Sequence, residues 1–330
     1  MKNNNIYAFA YDDLLTLPND LGAGRNVRGE VILANADRFL EGHFSQPLTT
    51  FATGAMDNDA VAQLLDAICG AAIPTARRFE YAEFTRLEEF EADTDDLRAI
   101  GGDFKRVRYT SDKVNGRTDP RGLTYRVDKD EIDELGAQWQ ENVVAKLQRR
   151  LLRNALRRAI TLLAAAANNT AKTWDTTAGK DPDMDVLTEL VTAADLSGVR
   201  PNTILYGDTS WNKRALSHRA QNNAGGYASA LLQPDGVAGI LGVDKVVRTG
   251  ARYRSGASAL TQIVGNLVLM YIASDGQDID DPSNIKRFVS DGGGFKVYVQ
   301  EFPTGWDLTV SYKDLIAILT TLGMRKFTIS

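Results

Sequence analysis

The sequence predicts an α+β fold, and three stretches carry that prediction. Between Pro74 and Asp128 runs a charge-dense excursion in which Phe104-Lys-Arg-Val107-Arg-Tyr109 and Leu123-Thr-Tyr125-Arg-Val127 alternate apolar with basic residues. That period of two marks strands with one face for burial and one for water. It runs into a stripe of Leu135, Trp139, Val143, Leu147, Leu151, Leu152, Leu156, Ile160 and Leu163 at three- and four-residue steps, which predicts one amphipathic helix over about 130–167. The last fifty residues are rich in short β-branched and aromatic runs, predicting returning strands. A lone ribbon is marginal in water, so the apolar face of the excursion needs cover. A neighbouring copy of the chain is expected to supply part of it.

Residues 1 to about 55 are irregular, with Val31-Ile-Leu33 isolated among Pro18, Gly22, Gly24, Gly29, Gly42 and Pro47, and read as an arm. A short helix follows, with Asp57 or Asn58 as N-cap and Val61, Leu64, Leu65 and Ile68 on one face, ending near Gly70 before Pro74. The excursion, roughly Thr75 to Asp128, has an acidic middle (Glu88, Glu89, Glu91, Asp93, Asp95, Asp96). Turns are expected at Gly101-Gly102 and at Asp119-Pro120-Arg121-Gly122, so the whole reads as a long hairpin. The predicted helix opens with Asp130, Glu131, Asp133 and Glu134. It carries Lys146, Arg149, Arg150, Arg153, Arg157 and Arg158 later, a distribution that complements the helix dipole. At ~1.5 Å per residue it would span on the order of 50 Å.

Past Asn168 a polar linker with Gly179 and Pro182 leads to a helix over about 183–194 and the apolar strand Thr203-Ile-Leu-Tyr206. The strand ends at Gly207-Asp208-Thr209-Ser210, an N-cap signal for a helix over Trp211–Arg219. Gly225, Gly226, Gly236, Gly239 and Gly242 then break the chain. Strands are expected at Val243–Val247 and Leu267–Tyr271. A hairpin of Phe295–Val299 with Trp306–Val310 turns about Pro303-Thr-Gly305, and Met324–Ile329 forms a final strand. There is no internal repeat.

Composition narrows the function. Of 330 residues, 43% are hydrophobic and 25% charged, as in folded proteins, so disorder is not expected. A formal net charge of -5 argues against an all-over nucleic-acid coat while leaving a local basic face open. Cys69, the single cysteine, lies in an apolar run and reads as a small buried thiol. With no disulfide framework, no signal segment and no run of eighteen apolar residues, the chain is expected to be soluble and made in a reducing compartment.

His43 and His218 lie far apart and without neighbours at metal spacing, so neither a zinc site nor a catalytic role is expected of them. No serine sits in a Gly-x-Ser-x-Gly elbow. Gly22-Ala-Gly24-Arg-Asn-Val-Arg-Gly29 lacks the strand and helix that a nucleotide-binding turn needs. Asp181-Pro-Asp183-Met-Asp185 and Asp275-Gly-Gln-Asp278-Ile-Asp280-Asp281 lack the glycine and closing glutamate of a calcium loop and are expected to turn and cap. Gly292-Gly-Gly294 precedes a strand rather than a phosphate-binding helix. No cofactor is expected.

The serial order (arm, short helix, charged hairpin, long helix, central mixed segment, returning strands) resembles that of the major capsid proteins of tailed bacteriophages, with the Hong Kong 97-type fold. The resemblance covers nearly the whole chain. It rests on Leu97-Arg-Ala-Ile-Gly101-Gly102-Asp-Phe104, on the helix beginning at Asp130-Glu131, on the passage from Ile204 to Leu216 with Trp211, and on Ile240-Leu-Gly-Val-Asp-Lys-Val-Val247.

The resemblance implies an N-terminal arm and short helix over 1–73, an extended loop over 74–128, and a spine helix of a peripheral domain over 129–171. An axial domain over 172–272, peripheral strands over 273–316 and a return to the axial domain over 317–330 complete it. Such subunits close into pentamers and hexamers and tile an icosahedral shell around double-stranded DNA, a virion protein assembled in the host bacterial cytoplasm. The implied partners are other copies, a separate scaffolding protein, a portal and a decoration protein, with no membrane. Some relatives carry a cleaved N-terminal scaffolding segment; from the start at Met1 no such cleavage is expected. Others cross-link Lys to Asn, and Lys113, Lys129 and Lys172 stand in suitable territory without a pattern that selects one.

Charge-matched subunit interfaces are expected at Arg77, Arg78, Arg86, Glu88, Glu89, Glu91, Arg98, Lys105, Arg106, Arg108 and Arg121. Arg149, Arg150, Arg153, Arg157 and Arg158 could face packaged DNA through phosphates alone, although pairing between subunits and dipole compensation explain them better. Two other functions compete: an encapsulin-like nanocompartment shell of the same fold, and a soluble hydrolase built around Asp208 and Ser210.

Overall fold

The computed structural model describes residues 44–54, 61–83, 112–136, 138–177, 179–254, 256, 259–274, 276, 283–290 and 294–330. These fall into two compact units. One draws on the first 55 residues with 122–147 and 295–311; the other holds 56–121, 148–294 and 312–330.

In the first unit the predicted hairpin is formed by β12 (Lys296–Phe302) and the start of β13 (Gly305–Ile318), in register from Lys296 opposite Ser311 to Phe302 opposite Gly305. Helix α1 (Gln46–Gly54) lies on β12, where Ser45 N donates to Val297 O at 3.0 Å and Val297 N donates to Thr49 Oγ1 at 3.1 Å. Strand β4 (Asp119–Asp128) also pairs with β13.

The turn expected at Asp119–Gly122 is therefore a strand. Thr118 is anchored instead, its hydroxyl 2.8 Å from that of Ser290 and its N–H bonded to Arg77 O, and the chain runs straight on into β4.

The predicted single helix is two. Helix α3 (Lys129–Leu135) is capped by Asp128, which accepts from Asp130 N, and stops at Gly136 with φ 78. That backbone conformation belongs to glycine and cannot continue a helix. Helix α4 (Trp139–Ala166) then runs for 28 residues, ~42 Å at 1.5 Å per residue. Trp139, Val143 and Leu147 are buried along it, and so are Leu151, Leu152, Leu156, Ile160 and Leu163, as the stripe demanded.

The second unit contains α2 (Val61–Cys69), which buries Val61, Leu65, Ile68 and Cys69. The root of the excursion follows. Strands β2 (Arg78–Glu83) and β3 (Asp112–Arg117) pair antiparallel from Arg78 opposite Arg117 to Glu83 opposite Asp112. Phe79, Tyr81 and Val114 pack on Ile73, Phe288, Leu315 and Leu319, with the Phe79 and Phe288 rings 4.6 Å apart. The chain's own body covers this root; residues 84–111 of the excursion, for which a neighbour's cover is expected, lie outside the described residues. The reason is local: β1 (Ile73–Pro74) pairs with β11 (Ile285–Val289) immediately before β2 begins, which delivers Phe79 onto Phe288. The Gly101-Gly102 turn and the strand at 104–109 lie outside the described residues, as does the N-cap at 57 or 58.

A sheet ordered β5-β14-β10-β6-β7 is built from Asn168–Lys172, Arg325–Ile329, Leu267–Tyr271, Thr203–Gly207 and Lys245–Thr249. Helix α5 (Pro182–Ser197) opens with Pro182 behind the N-cap Asp181. Helix α6 (Asp208–Ala220) follows β6 directly. The glycine-rich stretch, expected to break the chain, folds as α7 (Ala224–Leu231) and α8 (Pro234–Leu241). The side chain of Asn223 caps α7, and Pro234 pre-sets the start of α8, so start signals outweigh the intrinsic cost of the glycines. Strands β8 (Arg252–Arg254) and β9 (Leu260–Gln262) make a small separate hairpin.

Candidate interface surfaces

Charged side chains occupy the interior of the five-stranded sheet β1-β11-β13-β12 at defined points. Asp314 is fully buried on β13. It accepts from Arg121 Nε at 2.8 Å and from Arg158 Nη2 at 2.8 Å, while Arg158 also donates to the Tyr312 hydroxyl at 3.2 Å. The carboxylate thus ties the start of β4 to helix α4. Asp307, nearly as buried, takes both guanidinium branches of Arg126 at 2.8 and 3.0 Å, and Arg126 lies 5.0 Å above the Phe302 ring. Lys129 approaches Glu301 at 3.3 Å.

In the second sheet's layer, Asp183 accepts from Arg214 Nε and Nη2 at 2.6 and 2.7 Å, and His218 Nε2 lies 3.1 Å from its Oδ2. Burial alone would raise the Asp183 pKa. His218 beside it and the hydrogen bonds from Arg214 outweigh it and hold the carboxyl below the usual range. Burial also pushes the Cys69 thiol up to about 12, so it stays protonated and inert, as the sequence suggested.

The acidic run 181–185 is spent on structure. Asp181 caps α5, Asp183 holds Arg214, and Asp185 accepts from Lys172 Nζ at 2.9 Å and Trp174 Nε1 at 3.0 Å. Among the described residues no group of three His, Cys, Asp or Glu side chains is placed to hold a metal ion. Nor is any helix among them long and apolar enough to cross a membrane.

The residues of the hydrolase alternative are occupied as well. Ser210 is completely buried, with its hydroxyl 3.0 Å from Gly207 O and 2.9 Å from Leu267 O. Asp208 binds Arg248 at 2.7 Å and Arg252 at 3.2 Å. Gly207 is required by close approach, since a Cβ there would run into the carbonyl of Gly265. This elbow is a packing device.

Of the expected interface residues, Arg77 and Arg78 are exposed, whereas Arg121 is engaged within its own subunit. Arg86, Glu88, Glu89, Glu91, Arg98, Lys105, Arg106 and Arg108 lie outside the described residues. The five arginines of α4 separate by face: Arg150 and Arg157 are exposed, Arg149 and Arg153 half-buried, and Arg158 is committed to Asp314. Arg157 stacks over the Tyr253 ring at 4.9 Å. Lys113 and Lys172 approach Glu80 and Asp185 at 3.8 and 2.9 Å.

Sequence reasoning missed Asp307 and Asp314, although one signal was available. Apolar residues adjoin each of them: Trp306 and Leu308 flank one, and Leu315 and Ile316 follow the other. A carboxylate in such a strand needs a cation opposite.

No family model and no curated protein matches the chain. Solved structures do. A phage-related protein from Bordetella bronchiseptica superposes with a TM-score of 0.64 at 17% identity, over 86% of this chain and 96% of that one. The capsid of a native GTA particle gives 0.54 at 10% identity, over 84% and 92%. The capsid of cyanophage P-SCSP1u gives 0.51 at 11% identity, over 81% and 88%. The chain therefore has a phage-capsid-type fold. That fold is the α+β architecture of the Hong Kong 97 type expected from the serial order of its segments.

Proposed function

We propose that this chain is a major capsid protein, self-assembling as pentamers and hexamers into an icosahedral shell around the double-stranded DNA of a tailed bacteriophage. The observation that carries the reading is the likeness of more than four-fifths of the chain to subunits of particle shells. A protein whose work is geometric needs rigid joints more than an active site. The clamp of Asp314 on Arg121 and Arg158 is such a joint, because it fixes the start of β4 against β13 and helix α4.

In this reading, 1–73 form the arm, 74–128 the extended loop, 129–171 and 273–316 the peripheral domain, and 172–272 with 317–330 the axial domain. Arg77 and Arg78, with the charged residues of 86–108, meet neighbouring subunits. Arg150 and Arg157 are the exposed helix arginines, and any contact of this helix with packaged DNA would run through them to phosphates, without reading sequence. A scaffolding protein, a portal and a decoration protein are the expected partners, the mature location is the virion, and no catalysis is assigned.

Electron microscopy of the purified chain tests the reading. Closed particles of uniform diameter are expected, alone or with a scaffolding protein. A monodisperse monomer at high concentration under both conditions would refute it, and particles that enclose protein cargo instead of DNA would transfer the chain to the nanocompartments.

A further inference from the structure

The chain holds one Asn-Gly pair, Asn115-Gly116. That dipeptide is the strongest short signal for a two-residue hairpin turn, yet here it lies inside β3, paired along its length with β2. Close approach imposes the glycine: a Cβ at 116 would stand 2.7 Å from the ζ carbon of Phe79 and 2.9 Å from its ε2 carbon. Phe79 is held in turn by the Phe288 ring, 4.6 Å away. Asn115 lies on the opposite face of the strand, exposed and across from Glu80.

Asn-Gly is also the dipeptide most prone to modify itself, because glycine puts no side chain in the way when its amide nitrogen turns on the preceding residue. The Gly116 nitrogen gives up its proton and attacks Cγ of Asn115. An N–C bond forms, the bond from Cγ to the side-chain nitrogen breaks, and ammonia leaves, which closes a five-membered succinimide. Water then adds at either ring carbonyl and opens the ring to Asp or to its β-linked isomer. One amide and one water are consumed, one carboxylic acid and one ammonia are released, and nothing is oxidised or reduced.

Strand β2 controls the first step. Thr118 N donates to Arg77 O at 3.1 Å, which makes these two a hydrogen-bonded pair of the antiparallel ladder. Such pairs recur every second residue, so the N–H of Gly116 is donated to the carbonyl of Phe79. The attacking nitrogen is engaged, and the extended backbone turns it away from Cγ. We propose that Asn115-Gly116 is a self-modification site gated by β2: inert while the ribbon is paired, and deamidating with water as co-reactant whenever the ribbon opens locally. The product cannot close as before. A carboxylate at 115 faces Glu80 across a non-hydrogen-bonded pair, where like charges destabilise, and the β-linkage adds a main-chain carbon that breaks the register. Nothing in this chemistry depends on whether the chain forms a shell.

The test ages full-length chain in mildly alkaline buffer, native in one arm and unfolded in guanidinium chloride in the other, and follows a peptide spanning Asn115 by mass spectrometry. Deamidation at Asn115 is expected to be at least tenfold slower in the native chain. Phe79→Ala, which removes the ring above Gly116, should speed the native reaction at least threefold and raise hydrogen exchange at the Gly116 amide with it. Should that variant fail to fold, native chain in a series of guanidinium concentrations below the unfolding transition replaces it, and exchange and deamidation should climb together. A native rate less than tenfold below the unfolded one overturns the gate. Asn115 left intact in the unfolded chain overturns the site, and deamidation that stays constant while Gly116 exchange rises overturns the coupling to β2.

Discussion

The β5-β14-β10-β6-β7 sheet buries Trp174, Tyr206, Met270 and Phe327 in an apolar cluster with Val186, Leu190 and Val237 from its helices. The β1-β11-β13-β12 sheet keeps Lys286, Arg287, Asp307 and Asp314 under cover among its apolar residues. In the first case stability follows area: each large side chain removed from water contributes about 1.5–3 kcal/mol. In the second, every buried charge loses hydration and regains it only through a partner with good geometry. The apolar layer therefore resists unfolding, whereas the ionic layer prescribes direction, because its partners must stand within hydrogen-bond reach of fixed points.

The largest effect expected from breaking this contrast is Trp174→Ala. It should lower unfolding free energy by about 3–5 kcal/mol in urea titrations of unassembled chain, and a loss under about 1 kcal/mol would show that the cluster does not hold the sheet. Asp314→Ala should cost about 2–3 kcal/mol, less than a sealed pair because Arg121 and Arg158 keep 34% and 28% of their side chains exposed. Replacing all three with apolar residues (Asp314→Leu, Arg121→Met, Arg158→Met) should restore most of that stability, yet particles assembled from the triple variant should be irregular. Uniform particles would mean the clamp aims nothing.

Asp183 offers a pH-dependent comparison. Its carboxyl titrates below the unfolded value, so the unfolded chain binds the extra proton first. The stability Asp183 contributes is present above the ordinary carboxylate range and lost as pH falls through its depressed folded pKa. Thermal melting below about pH 4 should therefore steepen with acid in the native chain and flatten in Asp183→Asn. Equal slopes would remove Asp183 from the acid transition. The smallest effect is Lys129→Ala, whose side chain and that of its partner Glu301 are 45% and 54% exposed; about 0.2–1 kcal/mol is expected, read as a small shift in denaturation midpoint.

Where a pattern was periodic, the sequence could be read closely. The stripe from Trp139 to Leu163 is buried residue by residue, β6 and β10 appear within a residue or two of their expected ends, and the hairpin about Gly305 pairs as anticipated. Legibility failed where a local signal had more than one solution. Asp119-Pro-Arg-Gly carries turn residues, but Thr118 is pinned to Ser290, 172 residues away, and the chain goes on as strand. Gly136 interrupts a helical stripe that reads as unbroken, since a stripe records faces and not backbone angles. The glycines from 225 to 242 looked like breakers until Asn223 and Pro234 proved to start helices. Among candidate interface residues, Arg77 and Arg121 look equivalent in the string of letters; one is exposed and the other is bound to Asp314.

By itself the sequence determined the class of architecture, the order of its segments, the buried face of the long helix and the inert cysteine, because each depends on neighbours within a few residues. Only the tertiary structure decided which charges are spent inside the subunit and which remain for partners. A carboxylate's fate depends on which cation the fold brings within about 3 Å of it, and for Asp314 those cations stand 193 and 156 residues away along the chain.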